Sequence, residues 1–241
     1  MTEGYVEGDQ EQPLDCVIKK IVTMFYENVS SKLTTKQAMR PGGLRLTREV
    51  LRIADVKPGW RILDVACGMG STIKSLIRDF NCQAYGLDLS AKLIKKAKRS
   101  LYKPHYRCMT ELVRADSELM PIREGSFDAV LCECSLSLFP NKCGALNEMI
   151  RVVKRGGKVI ITDVTIRDNS IKETMDAANW CMCIAGAETL GSYLRLMEGL
   201  GLKVIYYRDV SEVYDWESSD PELKSALEGR IGYAIMIGVK P

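Results

Sequence analysis

The feature that most constrains this chain is a strand pattern that leads directly into a glycine-containing turn. Ile62 and Val65 belong to a short apolar run at residues 61–66, and Gly68 and Gly70 follow it. Glycine lets the backbone turn tightly against a bound molecule because it has no Cβ atom. The pattern therefore predicts a buried β-strand, a loop that can contact a ligand, and the first turn of a helix.

Two acidic residues accompany this turn. Asp64 belongs to the first apolar run, and Asp88 lies near the end of a second one at residues 84–89. In open α/β sheets, ligands bind outside the carboxyl ends of the strands. The two carboxylates and the glycine turn are therefore predicted to line one pocket, of the kind that holds a nucleoside.

Strand and helix patterns alternate along most of the chain. Such alternation predicts an α/β fold with a mostly parallel sheet and helices on both faces. The strands are expected at residues 61–66, 83–88, 108–115, 127–133, 158–163, 202–207 and 232–239.

The remaining segments give the domain organisation. Apolar positions at helical spacing in residues 14–30 predict an amphipathic helix that precedes the sheet. We therefore interpret residues 1–43 as an amino-terminal helical arm or lid and residues 44–241 as one domain. Helical patterns also fill residues 164–200, which predicts a helical insertion between the fifth and sixth strands.

Composition excludes several classes of function. The 34 Lys and Arg residues nearly balance the 31 Asp and Glu residues, so no strongly basic nucleic-acid footprint is present. No run of about 18 apolar residues is available to span a bilayer, and the acidic first residues contain no secretory signal. We expect a cytoplasmic protein whose nine cysteines are mostly free and buried. The single histidine, His105, argues against a histidine-based metal site, and we predict no metal.

Four stretches of the chain, taken in order and spacing, resemble the class I S-adenosylmethionine-dependent methyltransferases. The likeness is to the small-molecule type that includes the quinone-ring (menaquinone and ubiquinone) enzymes. The stretches are residues 62–70, 86–90, 114–130 and 148–163. The resemblance implies a Rossmann-like, seven-stranded sheet whose last strand is antiparallel. It also implies S-adenosylmethionine as the cofactor and a small molecule as the methyl acceptor.

The resemblance further implies which residues bind the cofactor. The glycine loop would lie near its methionine part, and Asp88 would accept hydrogen bonds from both ribose hydroxyls. Leu89 would pack on the adenine, Asp116 would meet the adenine amino group, and Cys132 would line the pocket near the transferable methyl. The full set is Asp64, Ala66, Cys67, Gly68, Gly70, Asp88, Leu89, Ala115, Asp116, Ser117 and Cys132.

Catalysis by such an enzyme needs no universal base, because a sulfonium donor carries its own leaving group. A base would help if the acceptor were a carbon acid or a phenol. Glu133 and Asp163 are the candidates by position, with a positioning or structural role as the alternative for each. Arg40 and Thr47 are candidates for contact with the cofactor's carboxylate.

The acceptor site is expected between residues 14–43 and residues 164–200. The second segment supplies an apolar, adaptable surface, which favours a small and partly apolar acceptor. The side chains expected there are Met175, Trp180, Met182 and Met197.

Three alternatives stay open. A thiol-rich pocket could bind zinc or a thiophilic acceptor such as arsenite, because soft ligands prefer soft centres. Its cysteines would be Cys67, Cys132, Cys134, Cys181 and Cys183. A non-catalytic protein that binds the cofactor is the second alternative. A nicotinamide enzyme is the third and weaker one, since Ile73 stands where its loop needs a small residue. The oligomeric state is open, with a homodimer as one arrangement.

Overall fold

The computed structural model describes residues 13–32, 40–167, 180–213 and 229–241. Within them, seven strands form one sheet in the order β3-β2-β1-β4-β5-β7-β6. The strands are β1 (Arg61–Val65), β2 (Gln83–Asp88), β3 (Thr110–Arg114), β4 (Phe127–Glu133), β5 (Val153–Ile166), β6 (Lys203–Asp209) and β7 (Ile231–Val239). Neighbouring strands from β3 to β5 are parallel, and β7 runs antiparallel to both β5 and β6. The predicted Rossmann-like fold, including its antiparallel last strand, is confirmed.

Helices cover both faces of the sheet. They are α1 (Leu14–Lys32), α2 (Gly43–Ile53), α3 (Ser71–Phe80), α4 (Ala91–Leu101), α5 (Pro104–Arg107), α6 (Lys142–Val152) and α7 (Leu190–Gly199). Side chains of α2, α3 and α4 join one apolar core, and those of α6 and α7 join the other. Adjacent residues of β1 serve different cores, Ile62 the first and Leu63 the second, because strand side chains alternate between faces.

The segment after β5 differs from the prediction. The strand was expected at residues 158–163, followed by helical insertion from residue 164. Instead β5 continues through Val164 to Ile166, because β7 pairs with it along this whole stretch. Residues 168–179, which include Met175, lie outside the described residues. The described part of the insertion consists of a mainly irregular segment at 180–189 and helix α7.

The strand order indicates where along the sheet a ligand would bind. β1 pairs with β2 on one side and with β4 on the other. The order therefore reverses beside β1, and such switch points form a crevice outside the carboxyl ends of the strands.

Helix α1 lies across this edge and is tied to it by polar contacts. Ser90 Oγ donates to Glu27 Oε1 at 2.5 Å, and Lys96 Nζ donates to Ser30 Oγ at 2.9 Å. Lys19 Nζ lies 2.8 Å from Asp116 Oδ2. In the described part of the chain, no helix is long and apolar enough to cross a membrane.

Candidate active site

A cavity of about 140 Å³ lies at the carboxyl edge of the sheet. Its walls come from the loop after β1, the start of α4, the residues after β4 and one side of α1. Six of the predicted cofactor-binding residues line it: Ala66, Cys67, Gly68, Asp88, Leu89 and Ser117. A larger depression of about 640 Å³ includes Arg61 and Phe127, which begin their strands, so it lies away from the carboxyl edge where this sheet type binds ligands.

The loop after β1 has the strained geometry that its glycines predict. Ala66, Gly68 and Gly70 have φ angles of 58°, 53° and 75°, in the left-handed region that favours glycine. A Cβ on Gly70 would lie 2.9 Å from Leu101 Cδ1, so close packing on α4 also requires glycine there. Gly68 borders the cavity, whereas Gly70 lies outside its wall and lets the start of α3 pack closely on α4.

Asp88 holds this loop in place. Its Oδ2 accepts a hydrogen bond from Gly68 N at 2.8 Å, and its Oδ1 accepts one from Ser90 N at 2.8 Å. Burial raises the pKa of Asp88, and the two donated hydrogen bonds act in the opposite direction. Each carboxylate oxygen has two lone pairs, so both oxygens keep acceptor capacity for a ligand.

Two buried polar atoms near the cavity have no hydrogen-bond partner among the described residues. They are Asp64 Oδ2 and Arg40 Nε. Burial raises the pKa of Asp64 well above its usual value, and the nearby charge of Glu133 raises it further. An acceptor and a donor left unpaired in a protein interior indicate a place prepared for another group.

Glu133, one of the two candidate bases, is tied into a network. Its carboxylate accepts hydrogen bonds from Thr47 Oγ1 at 2.8 Å and Thr72 Oγ1 at 3.0 Å, and Arg40 Nη2 lies 2.8 Å away. These partners come from the residues before α2, from α2 and from α3. The network therefore fastens the chain around Arg40 to the end of β4, and this arrangement favours a positioning role for Glu133.

Asp163, the other candidate base, is fully buried and absent from the cavity wall. It accepts hydrogen bonds from Ser137 N at 3.0 Å, Ser137 Oγ at 2.7 Å and Val164 N at 2.7 Å. Burial raises its pKa. These contacts anchor the loop that follows β4, and they favour a structural role for Asp163.

The remaining predicted residues occupy different places. Asp116 accepts from Lys19 Nζ and, at 2.9 Å, from Glu118 N, so α1 covers the carboxylate predicted to meet adenine. Ala115 is half-buried, and its N–H donates to Asp88 O at 3.1 Å. Cys132 is fully buried in the second apolar core and is not among the residues that line the cavity.

Cys132 and Cys134 would share a strand face if β4 continued through both of them, because strand side chains alternate between faces. The strand ends at Glu133, and Cys134 adopts a left-handed φ of 53°. Cys134 consequently belongs to the first apolar core and lines the cavity.

The sequence predicts residues 14–43 at the acceptor site but identifies no individual contact residues of α1. Lys19, Val22, Thr23 and Tyr26 line the cavity. The amphipathic pattern predicted the helix, but no local signal showed which neighbour its side chains would meet.

Part of the expected acceptor surface was also wrong. Met197 is fully buried in the second core, on the other side of the sheet. Trp180 does lie near the cavity, since its Nε1 donates to the carbonyl of the cavity-lining Leu138 at 3.2 Å. Among the described residues, no cluster of three or more His, Cys, Asp or Glu side chains could hold a metal ion.

Comparison with solved structures shows how widely this fold is used. The structure of a [4+2]-cyclase superposes with a TM-score of 0.77 at 20% identity, covering 93% of this chain and 97% of that one. A phosphoethanolamine N-methyltransferase of Haemonchus contortus, solved with phosphomonomethylethanolamine and S-adenosylhomocysteine, gives a TM-score of 0.73 at 17% identity. That match covers 95% of this chain and 62% of the other. At these identities the likeness establishes the fold alone.

Sequence comparison is more specific. A demethylmenaquinone methyltransferase of Desulfitobacterium hafniense is 32% identical over 119 residues, which is 48% of this chain and 47% of that protein. The matches span about half the length of the curated relatives, from 47% to 62%. A family model described as a methyltransferase domain matches residues 56–218, which include the glycine loop, Asp88 and all of β5. This chain therefore belongs to that methyltransferase domain family.

Proposed function

We propose that this protein transfers a methyl group from S-adenosylmethionine to a small, partly apolar acceptor. The observation that carries the proposal is the hydrogen bond from Gly68 N to the Asp88 carboxylate beside a cavity at the switch point of the sheet. It presents backbone and carboxylate groups together where the ribose and methionine parts of a nucleoside donor would lie. Membership of a methyltransferase domain family supports this interpretation.

The unpaired polar atoms fit the amino-acid part of that donor. When bound, S-adenosylmethionine supplies a methyl group on a positively charged sulfur together with a neutral leaving group. Asp64 Oδ2 would accept from an ammonium group, and Arg40 Nε would donate to a carboxylate. An unsatisfied buried polar group costs about 1–3 kcal/mol, so pairing these atoms would favour binding.

The nucleoside part would be held by α4 and the strand ends. Asp88 is fixed by Gly68 and Ser90 and would accept from the ribose hydroxyls. Leu89 and Leu93 line the same cavity and offer apolar surface for adenine. Held this way, the donor has a defined orientation, and orientation is the main contribution that a protein makes to an in-line displacement.

Helix α1 would act as a lid over this site. The cavity of about 140 Å³ is small beside the ligand pockets of about 300–1,000 Å³ found in proteins. Admission of a nucleoside with an amino-acid tail therefore requires α1 to move. The contacts of Lys19 with Asp116 and Glu118 oppose that movement and would re-form or rearrange over the bound donor.

The cavity wall also restricts the acceptor. Val22, Tyr26, Leu138 and Phe139 give its far end an apolar character. The carboxylate of Glu133 already has three partners among the described residues, so it is not free to act as a general base. Both facts favour an acceptor that is itself nucleophilic and is partly apolar.

The test combines binding with transfer. Calorimetry of the full chain with S-adenosylmethionine, S-adenosylhomocysteine and NAD should show binding of the first two alone. Methyl-labelled donor should then label at least one acceptor from a panel of quinols, phenols, amines, thiols and arsenite. Binding without transfer to any of them would favour a non-catalytic cofactor-binding protein, and binding of NAD alone would refute the proposal.

A further inference from the structure

Two cysteines from distant parts of the chain meet beside the cavity. Cys134 follows β4, and Cys183 belongs to the irregular segment before α7. Their Sγ atoms are 3.7 Å apart, and both thiols are free and buried. Cys134 lines the cavity, and the hydroxyl of Tyr26 from α1 lies 3.5 Å from Cys183 Sγ.

Packing fixes the spacing of these two sulfurs. Both cysteines have left-handed φ angles, 53° for Cys134 and 65° for Cys183, which side-chain-bearing residues adopt at a cost. The segment around Cys183 is tied to the loop after β4 by Trp180 Nε1, which donates to Leu138 O at 3.2 Å. Gly186 packs so closely on this loop that a Cβ there would lie 2.0 Å from Ser137 O.

The spacing suits one bridging atom better than a direct bond. A disulfide needs its sulfurs about 2.05 Å apart. An atom bonded to both sulfurs at about 2.3 Å, the length typical of zinc–thiolate bonds, would hold them 3.7 Å apart at an angle of about 107°, close to tetrahedral.

The chemical environment of Cys134 and Cys183 disfavours binding of a metal cation. The hydrogen bond with Cys183 and burial together raise the pKa of Cys134 well above its usual value, so this thiol is held neutral. Structural zinc takes four ligands and needs thiolates. Within the described ranges no cluster of three ligating groups exists. A centre that replaces the thiol protons without adding net charge fits this place.

We propose that Cys134 and Cys183 form a dithiol site for a trivalent arsenical, the class of soft metalloid hydroxides. Two As–O bonds and two S–H bonds break, two As–S bonds and two O–H bonds form, and two waters leave. The oxidation state of arsenic does not change, and the product is neutral. The bound atom borders the cavity of the proposed methyl donor, and its role as an acceptor rests on the proposed function.

The test uses sodium arsenite and phenylarsine oxide on the reduced full-length protein under nitrogen. Native mass spectrometry should show one arsenic per chain. After loading with phenylarsine oxide and unfolding in urea, alkylation and peptide mapping should find Cys134 and Cys183 protected and the other seven cysteines modified, whereas the unloaded protein should be modified at all nine. Protection confined to other cysteines, or no arsenic bound, would overturn the proposal.

Variants separate chelation from single-thiol binding. Cys134→Ser and Cys183→Ser should each weaken arsenite binding about 100-fold or more, because the second attachment is intramolecular. Cys82→Ser is the matched control, since this buried thiol donates only to backbone carbonyls away from the cavity. Equal affinity in all three variants would overturn the site. If a serine variant fails to fold, the peptide map of the native protein decides.

Donor binding is measured on the same preparation. Arsenic bound by a protein that ignores S-adenosylmethionine would leave the dithiol site standing and refute the proposed function. Binding of S-adenosylmethionine by a protein that takes up no arsenic would refute the dithiol site and leave the proposed function standing.

Discussion

The two halves of the cavity are built in different ways. The donor half consists of the loop around Gly68, Asp88 and Ser90, and its central hydrogen bond joins residues that are 20 positions apart. The proposed acceptor half consists of the cavity-lining Tyr26 and Cys134 together with Cys183, which contacts both; these contacts join residues 157 and 49 positions apart. The first half is polar and held by backbone groups, whereas the second is apolar and held by side-chain packing.

This difference explains how one fold serves several chemistries. The donor half follows from a strand, a glycine turn and a neighbouring strand end, which any chain of this architecture can supply. The acceptor half depends on a helical arm and an insertion that lie outside the sheet. Solved proteins of this fold include both a cyclase and a methyltransferase. Function is therefore decided largely by what covers the shared sheet edge.

The strongest challenge to the donor half is Gly68→Val. Gly68 has a φ of 53° and borders the cavity. A branched side chain there is strained and would occupy ligand space, so donor binding should fall by more than about 3 kcal/mol. Calorimetry with S-adenosylhomocysteine measures this loss.

Gly125→Val is the control for strain alone. Gly125 has a similar φ of 62°, and a Cβ there meets nothing within 4 Å. It should lower stability and spare donor binding. Equal loss of binding in both variants would show that strain, and not contact with the ligand, explains the result.

The next effect in size is expected for Asp88→Ala. Removing a carboxylate that accepts charge-assisted hydrogen bonds should weaken donor binding by about 2–3 kcal/mol. Asp128→Ala is the matched control, because Asp128 also accepts a backbone hydrogen bond, from Arg61 N at 2.8 Å, but near the amino ends of the strands. Unchanged affinity in Asp88→Ala would refute the ribose assignment.

Asp64→Asn separates stability from binding within the donor half. Asp64 is buried with an unpaired oxygen, so removing its charge should raise the free energy of unfolding of the ligand-free protein by about 1 kcal/mol, or about 2–4 °C in Tm. The same change should weaken donor binding. Thermal unfolding should show the higher Tm, and calorimetry with S-adenosylhomocysteine should show the weaker binding.

This stabilisation should depend on pH in a defined direction. The pKa of Asp64 is raised in the folded state, so the native wild type takes up its proton at higher pH than the unfolded chain. The advantage of Asp64→Asn should be full above that raised pKa, shrink as the pH falls, and vanish below the unfolded pKa of about 3.9, where both states are protonated.

Asp163→Asn should change the stability of the protein in the opposite direction from Asp64→Asn. Asp163 is equally buried, but its carboxylate accepts three hydrogen bonds, and an amide cannot replace all of them. It should destabilise the protein at neutral pH. A gain in stability in both variants would show that burial alone, and not the unpaired oxygen, sets the cost at Asp64.

The smallest effect is expected where α1 closes the cavity. Lys19→Met removes the ion pairs with Asp116 and Glu118 and should speed donor entry by up to about fivefold, since a partly exposed ion pair contributes about 0.2–1 kcal/mol. Lys20→Met changes the exposed neighbouring lysine of the same helix. Stopped-flow binding should show the acceleration in the first variant alone, and equal rates would contradict the lid.

Much of the sheet could be predicted because buried strands form continuous apolar runs. β1, β2 and β4 lie within a residue or two of their expected bounds. At β5 the β-branched run Val164, Thr165 and Ile166 is typical of a strand, and pairing with β7 along this stretch carries β5 past its expected end. Local pattern cannot report a partner that lies some 70 residues away.

The candidate site likewise contains residues whose position followed from the sequence and residues whose position depended on the fold. Asp88 and Gly68 were predicted together, and they lie in hydrogen-bonding contact. Cys132 was expected at the pocket, yet it faces the second core, while Cys134 lines the cavity. The chain reverses its side-chain direction after Glu133 through a left-handed residue that is not glycine, and such residues carry no sequence signal.

The sequence by itself therefore determined the strand, glycine loop and paired acids of the donor half, because each follows from residues close together in the chain. Tertiary structure decided which side chains of α1 line the cavity, that Glu133 and Asp163 are held by hydrogen-bonding partners, and that Cys134 and Cys183 meet at 3.7 Å. These features depend on packing between distant segments, and packing is a property of the whole folded chain.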